Sequence, residues 1–191
     1  AASKGLGVVI MDPLLGGRRS NPPKDLKGAL KVRGKRVDPS DLALQWVWDQ
    51  PEVSTVLSGM SEMSHVSGNL RSADRSGAGT FTKERMALVE KARKLYKERT
   101  LIPCTGCNYC MPCPHGVELP SNFEEYNLGY MHDDLKGARH IYADFFNPKK
   151  KAPACKKCGK CEPKCPQKIP IREKLAEVDD VLGKGKPYRR T

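Results

Sequence analysis

Eight cysteines, gathered into two short runs with none elsewhere, constrain this chain more than any other feature. The first run is Cys104-Thr-Gly-Cys107-Asn-Tyr-Cys110-Met-Pro-Cys113-Pro114. The second is Cys155-Lys-Lys-Cys158-Gly-Lys-Cys161-Glu-Pro-Lys-Cys165-Pro166. The second is a complete C-x₂-C-x₂-C-x₃-C-P run, the spacing of bacterial-type [4Fe–4S] sites. The first is the same run with one residue fewer before its fourth cysteine.

The spacing has a physical reason. Three cysteines, each two residues from the next, let a short turn wrap three corners of a cuboidal cluster. The fourth leaves in an extended direction, because proline fixes its own φ and disfavours helix in the residue before it. In two-cluster proteins that departing cysteine binds the other cluster. The expected ligand sets are therefore Cys104, Cys107, Cys110 and Cys165 for one [4Fe–4S] cluster, and Cys155, Cys158, Cys161 and Cys113 for a second. Disulfides are the first rival, but a basic chain without an export signal points to a reducing compartment. Two Cys₄ zinc sites are the second; they need neither a third cysteine in register nor a terminal Cys-Pro.

An internal repeat accompanies the runs. Each continues as Cys-Pro-x-x-[Val/Ile]-x-[Leu/Ile], through Val117 and Leu119 in the first half and Ile169 and Ile171 in the second. Each half should leave its cluster in a short extended stretch and enter a helix. Pro170 suits the first turn of the second helix, with Ile171, Leu175 and Val178 on its apolar stripe. Between the runs, Phe123, Tyr126 and Tyr130, then Leu135, Ala138, Tyr142 and Phe145, recur at helical spacing. They predict two amphipathic helices, broken near Gly129 and ended by Asn147-Pro148, with the aromatics in a core that shields the clusters. The whole pattern resembles the α-helical two-cluster ferredoxin fold of respiratory iron–sulfur subunits. The ferredoxin-type domain is expected over 99–180, followed by a basic tail at 181–191.

The first 98 residues read differently. Gly7 to Met11 predicts a buried strand, followed by a Pro- and Lys/Arg-rich loop to Val37. Asp38 as N-cap and Pro39 at the first position open a helix through Asp49. Val53 to Ser58 is a second strand, a helix follows through about Ser72, and Thr82 caps a last one with Met86, Val89, Ala92 and Leu95 buried. This β-α-β-α order implies parallel strands.

Gly7-Val-Val-Ile-Met-Asp-Pro-Leu-Leu-Gly-Gly17, Leu42-Ala-Leu-Gln-Trp-Val47, Val56-Leu-Ser-Gly-Met-Ser61 and Asn69-Leu70 resemble the last two βα units of an aldo/keto reductase barrel. With the cysteine runs, the chain resembles the C-terminal part of the ferredoxin-containing aldo/keto reductases. The expected fold class is thus an α/β fragment of a TIM barrel followed by an α-helical two-cluster ferredoxin domain. The resemblance implies nucleotide contacts from Pro13, Leu14 and Gly16 after one strand and from Gly59, Ser61, His65 and Asn69 after the next. Asp12 stands where the family has Ser or Lys, and His65 and Gly68 replace its Arg and Glu, so NAD and NADP are not distinguished. The family's catalytic Asp, Tyr, Lys and His lie on earlier strands with no counterpart here, and no catalytic residue is assigned. NAD(P) is therefore expected only together with a missing N-terminal barrel half or another subunit. Oxidoreductase activity would belong to the full-length protein.

Length and charge complete the picture. The chain has 191 residues, and a whole (β/α)₈ barrel needs at least about 200. It starts without a methionine and enters a strand almost at once, as a barrel end would. Its longest fully apolar run, Val8 to Met11, is too short to span a bilayer, and no secretory segment is visible, so a cytoplasmic location is expected. Formal net charge is +12. Arg18, Arg19, Lys24, Lys27, Lys31, Arg33, Lys35 and Arg36 form one basic stretch, without the interleaved aromatics or motifs of a nucleic-acid binder. Lys149 to Lys151 and Lys156, Lys157 and Lys160 form another, suited to offsetting the charge of a thiolate-ligated cluster. The function expected is iron–sulfur electron transfer with a redox partner protein. The alternatives are clusters that are structural or serve partner docking, and a zinc-dependent binding module.

Overall fold

A computed structural model describes residues 1–188. The protein is mixed α/β, mostly helical with small sheets, and divides into two compact units, 1–97 and 98–191.

In the first unit, β1 (Val8–Met11) leads through α1 (Lys24–Ala29), a hairpin of β2 (Lys31–Val32) and β3 (Lys35–Arg36), and α2 (Pro39–Trp48) to β4 (Val53–Leu57). Then come α3 (Met63–Ala73) and α4 (Lys83–Glu98). Strands β1 and β4 pair in parallel, with Val9 opposite Thr55 and Met11 opposite Leu57. Asp38 caps α2 by accepting from the Asp41 amide at 2.9 Å, with Pro39 next, the arrangement that leaves no N-terminal amide hydrogen wasted.

Asp41 holds three helices together. Its carboxylate accepts from Ser72 Oγ at 2.6 Å and Arg75 at 3.0 Å on one oxygen, and from Arg85 at 2.8 Å on the other. Burial pushes its pKa up, but the Ser72 and Arg85 hydrogen bonds and the two guanidinium charges outweigh that and hold it below the ordinary carboxylate value. The Gln45 amide adds a bond to the Ser72 carbonyl.

Three expectations for this unit need correcting, the last being that Gly7 to Met11 forms a buried strand, since Val9 and Met11 are exposed. The segment before Val37 is not an irregular loop: Leu26 and Leu30, at i and i+4, are buried with Leu42 and Leu88. The hairpin turns on Arg33 and Gly34, both at positive φ, as a two-residue connection requires. The buried stripe of α4 is also rotated. Leu88 is buried and Val89, Ala92, Leu95 and Tyr96 pack on the same core, whereas Met86 is exposed.

Parallel sheets normally have both faces covered. Here one face of the β1–β4 pair is open: Val9 is 53% exposed, Met11 76% and Leu57 51%. The opposite face, with Val8, Ile10 and Val56, is partly covered.

The second unit contains α5 (Leu119–Met131), α6 (Leu135–Asp144) and α7 (Ile171–Val178), the last continued by a π-helical turn, Asp179–Gly183. Val117, Leu119, Ile169 and Ile171, the matched residues of the internal repeat, meet in one core with Phe123, Tyr126, Ala138, Tyr142, Leu175 and Val178. Pro170 is the N-cap of α7, one position before the first turn. The break between α5 and α6 comes at His132–Asp134, after Gly129. Gly129 serves a close approach instead: a β-carbon there would lie 2.7 Å from Ala138 Cβ and 2.5 Å from the Tyr188 hydroxyl. Phe145, expected in the core, is 74% exposed, and its neighbour Phe146 packs on Tyr142 with ring centroids 5.2 Å apart.

The residues read as the basic tail begin with buried Val181 and Leu182. Tyr188 stands edge-on to Tyr126 and Tyr130 and donates to the Tyr126 carbonyl at 2.9 Å. Arg139 holds the Val181 and Lys186 carbonyls. Arg189, Arg190 and Thr191 of that tail lie outside the described residues.

The open sheet face predicts how the first unit behaves alone. A polypeptide of residues 1–98 should show no cooperative thermal transition by circular dichroism, since its small core leaves the strand face wet. A sharp two-state melt would contradict this.

Candidate metal centre

The two cysteine runs share left-handed residues at matching positions, although between its third and fourth cysteines the first is one residue shorter and holds a cis Met111–Pro112 bond. Gly106 in the first run and Lys157 in the second hold matching positions with φ of 69° and 54°; Asn108 and Gly159 do the same at 63° and 75°. Past the fourth cysteine, Gly116 (79°) and Lys168 (51°) match again. Each closes a turn by donating its amide hydrogen to the fourth cysteine's carbonyl at 3.0 Å. The left-handed residues turn amide hydrogens back onto sulfur. The Lys157 amide lies 3.4 Å from Cys155 Sγ, and the Gly106 amide does the same for Cys104. Left-handed backbone is free for glycine but costs a side-chain-bearing residue such as Lys157 about 1–2 kcal/mol.

Two cavities collect the thiols. One is lined by Cys104, Cys107, Cys110 and Cys165, with Thr105, Asn108, Gln167 and the buried Ile169 and Ile171. The other is lined by Cys113, Cys155, Cys158 and Cys161, by Cys110, which lines both cavities, and by His115, Lys160, Lys164 and Arg172. In each, three cysteines of one run stand with the fourth of the other. Cys107 and Cys158 are exposed, and the other six are half-buried against the core.

Electrostatics report the first neighbourhood, and for the second they couple Cys161 to Cys155 and Cys110. Burial, then the nearby Cys107, Cys165 and Glu124, pushes the Cys104 thiol up; burial, then Cys104, Cys165 and Cys107, does so for Cys110. Burial, then Glu162, Cys155 and Cys110, raises Cys161. Among the described residues, no three His, Cys, Asp or Glu side chains converge closely enough to hold a single ion. The donor sets fit [4Fe–4S] clusters.

What holds the runs in place was not visible in the cysteine pattern. Asn127 of α5 accepts from the Ile102 amide at 2.9 Å and donates to the Ile102 carbonyl at 2.8 Å, just before Cys104. Asn122 of the same helix donates to the Glu118 and Lys150 carbonyls at 2.7 and 2.9 Å. Tyr142 donates to Asn122 Oδ1 at 3.2 Å and accepts from the Ala152 amide at 3.0 Å, just before Cys155. Burial pushes the Tyr142 hydroxyl to about 12, so it stays a donor at any ordinary pH. The available signal was two asparagines inside an otherwise aromatic helical stripe.

In the second cavity, Glu162 takes the Arg172 amide at 3.0 Å and its guanidinium at 2.8 and 3.1 Å, fixing a cation beside the cysteines.

The first unit has a separate cleft of about 750 Å³. It gathers Pro13, Leu14, Gly16, Gly59, His65 and Asn69; Ser61 is not among its lining residues. Arg36, from the first basic stretch, also lines it, with Arg71, Arg75 and Arg85, which the sequence did not single out. Asp12 turns its carboxylate onto the Gly16 amide at 2.7 Å, so its charge is engaged by its own loop.

Residues 103–172 match the family model of a 4Fe-4S dicluster domain. The matched segment contains all eight cysteines. No curated protein and no solved structure matches the chain. Among the described residues, no helix is long and apolar enough to cross a membrane.

Two outcomes follow for the dicluster domain. Asn127→Ala leaves the buried Ile102 amide without a partner and its carbonyl with the Cys104 amide alone, and should cost about 1–3 kcal/mol. Iron should be lost first from the cavity of Cys104. Denaturant melts and iron content check both. The raised thiols give the metal-free protein stability that is complete below the ordinary thiol pKa and lost as pH rises through the higher folded values. Its melting temperature should therefore fall above about pH 9. The loaded protein, whose thiolates are already committed to metal, should show no such fall.

Proposed function

We propose that the dicluster domain binds two [4Fe–4S] clusters and serves as a one-electron transfer module. The observation that carries this is the crossed set in each cavity: Cys104, Cys107 and Cys110 with Cys165, and Cys155, Cys158 and Cys161 with Cys113. Bound there, the clusters supply reversible one-electron chemistry. The chain's own residues set the conditions. The thiolates hold the metal, and amides of Gly106 and Lys157 donate toward sulfur, which tunes potential. The core of Ile169, Ile171, Val117 and Leu119 excludes water from one side.

The first unit we read as the last two βα units of an aldo/keto reductase-like barrel, whose cleft would take the phosphate-bearing end of NAD(P). Support comes from the parallel β1–β4 pair, the open strand face, and the convergence of Pro13, Leu14, Gly16, Gly59, His65 and Asn69 on one arginine-bordered cleft. Barrel phosphate sites lie in the loops after the last two strands. The catalytic residues would come from an N-terminal half or another subunit, and a redox partner protein would exchange electrons with the clusters.

Double substitutions test the crossed sets. Cys165→Ser and Cys104→Ser together should remove no more iron than either alone, about half, because both serve one cluster. Cys165→Ser with Cys155→Ser should remove nearly all. The opposite pattern would show that each run serves its own cluster. Electron transfer further requires that the loaded protein accept electrons from dithionite, followed by EPR; resistance to reduction would leave the clusters a structural role.

A further inference from the structure

The two cavities differ in charge far more than in backbone. Between its outer cysteines the first run has no charged residue, whereas the second has Lys156, Lys157, Lys160 and Lys164 against a single acid, Glu162. Glu162 is taken by Arg172 at 2.8 Å. Among the described residues none of those four lysines has an ion-pair partner, and all four are exposed. Lys160 and Lys164 line the cavity itself, and Lys156 and Lys157 precede the exposed Cys158. Around the exposed Cys107 the matching surface is Thr105, Asn108 and Tyr109, with the anionic Glu124 close to Cys104. Lys157 also occupies a left-handed position where the first run has Gly106. A strained lysine in place of glycine argues that the side chain there is used.

We propose that the lysine collar around Cys158 is the docking surface for an acidic one-electron carrier protein. Resting on the electron-transfer reading, it names the face and the chemistry of the partner. Electron exchange needs a partner to approach where a cluster ligand reaches the surface, and both Cys107 and Cys158 do. Only Cys158 is ringed by unpaired cations, which steer an acidic partner and disfavour a basic one. One electron crosses, oxidising the donor and reducing the acceptor by one, with no bond or proton transferred.

The test uses the loaded full chain and an acidic flavodoxin as probe, with binding by calorimetry at two salt concentrations. Wild-type protein should bind, and more weakly at the higher salt. Lys156→Glu with Lys157→Glu should weaken binding at least tenfold while iron content stays at the wild-type level. Lys24→Glu with Lys27→Glu, an equal charge change at exposed positions of the other unit, should alter it less than twofold. Equal effects of the two pairs, no binding by wild-type protein, or tighter binding to a short duplex DNA than to flavodoxin would each overturn the proposal. These results stand apart from the parent reading: clusters that load and accept dithionite electrons uphold electron transfer even if docking fails.

Discussion

Two asparagines on one helix hold both metal-binding runs. Asn127 clamps Ile102 through amide and carbonyl alike, and Asn122, with Tyr142, takes the carbonyl of Lys150 and the amide of Ala152. The runs themselves are almost devoid of regular structure, and their turns depend on left-handed residues that no helix or strand supports. Without α5 they would be two flexible thiol-bearing loops. The insert between the runs is therefore the scaffold on which ligand geometry depends. Its polar bonds are buried, where a lost partner costs the most.

The same dependence explains what was legible in the sequence. Cysteine spacing is a local record of ligand geometry, so crossed sets could be proposed before any fold was known, and the two cavities gather the thiols compatibly with them. The stripe of Ile171, Leu175 and Val178 and the cap at Asp38 were equally plain, because periodicity and capping are local. Asn122 and Asn127 were not, since their partners are 20 to 30 positions away and an asparagine inside a helix carries no address. Phe145 and Phe146 compete for one core position, and only the turn ending α6 decides between them. In α4, Met86 and Leu88 sit on neighbouring stripes, and contact with α1 selects Leu88. The α1 helix and its hairpin were hidden because a stretch rich in Lys, Arg and Pro looks like loop. Leu26, Leu30 and the Arg33-Gly34 turn were the overlooked signal.

The internal repeat adds a second lesson. Equivalent positions share backbone angles within some 30° of φ and yet carry Gly106 against Lys157, Asn108 against Gly159, Gly116 against Lys168. Shape has been kept while charge has diverged. One cavity opens among neutral side chains and the other among lysines and a fixed arginine. The two cavities are thereby given different electrostatic surroundings, and on the proposed reading these bear on the reduction potential of each. The first unit shows a comparable division: an engaged Asp41 network on its covered side, and a strand face with Val9, Met11 and Leu57 left open.

The central claim is that the eight cysteines hold two iron–sulfur clusters. Iron and acid-labile sulfide analysis of anaerobically prepared full-length chain, with EPR after reduction, tests it most directly. The account predicts about eight iron and eight sulfide per chain, with the signals of two interacting [4Fe–4S] centres. About two zinc per chain with no sulfide would contradict it.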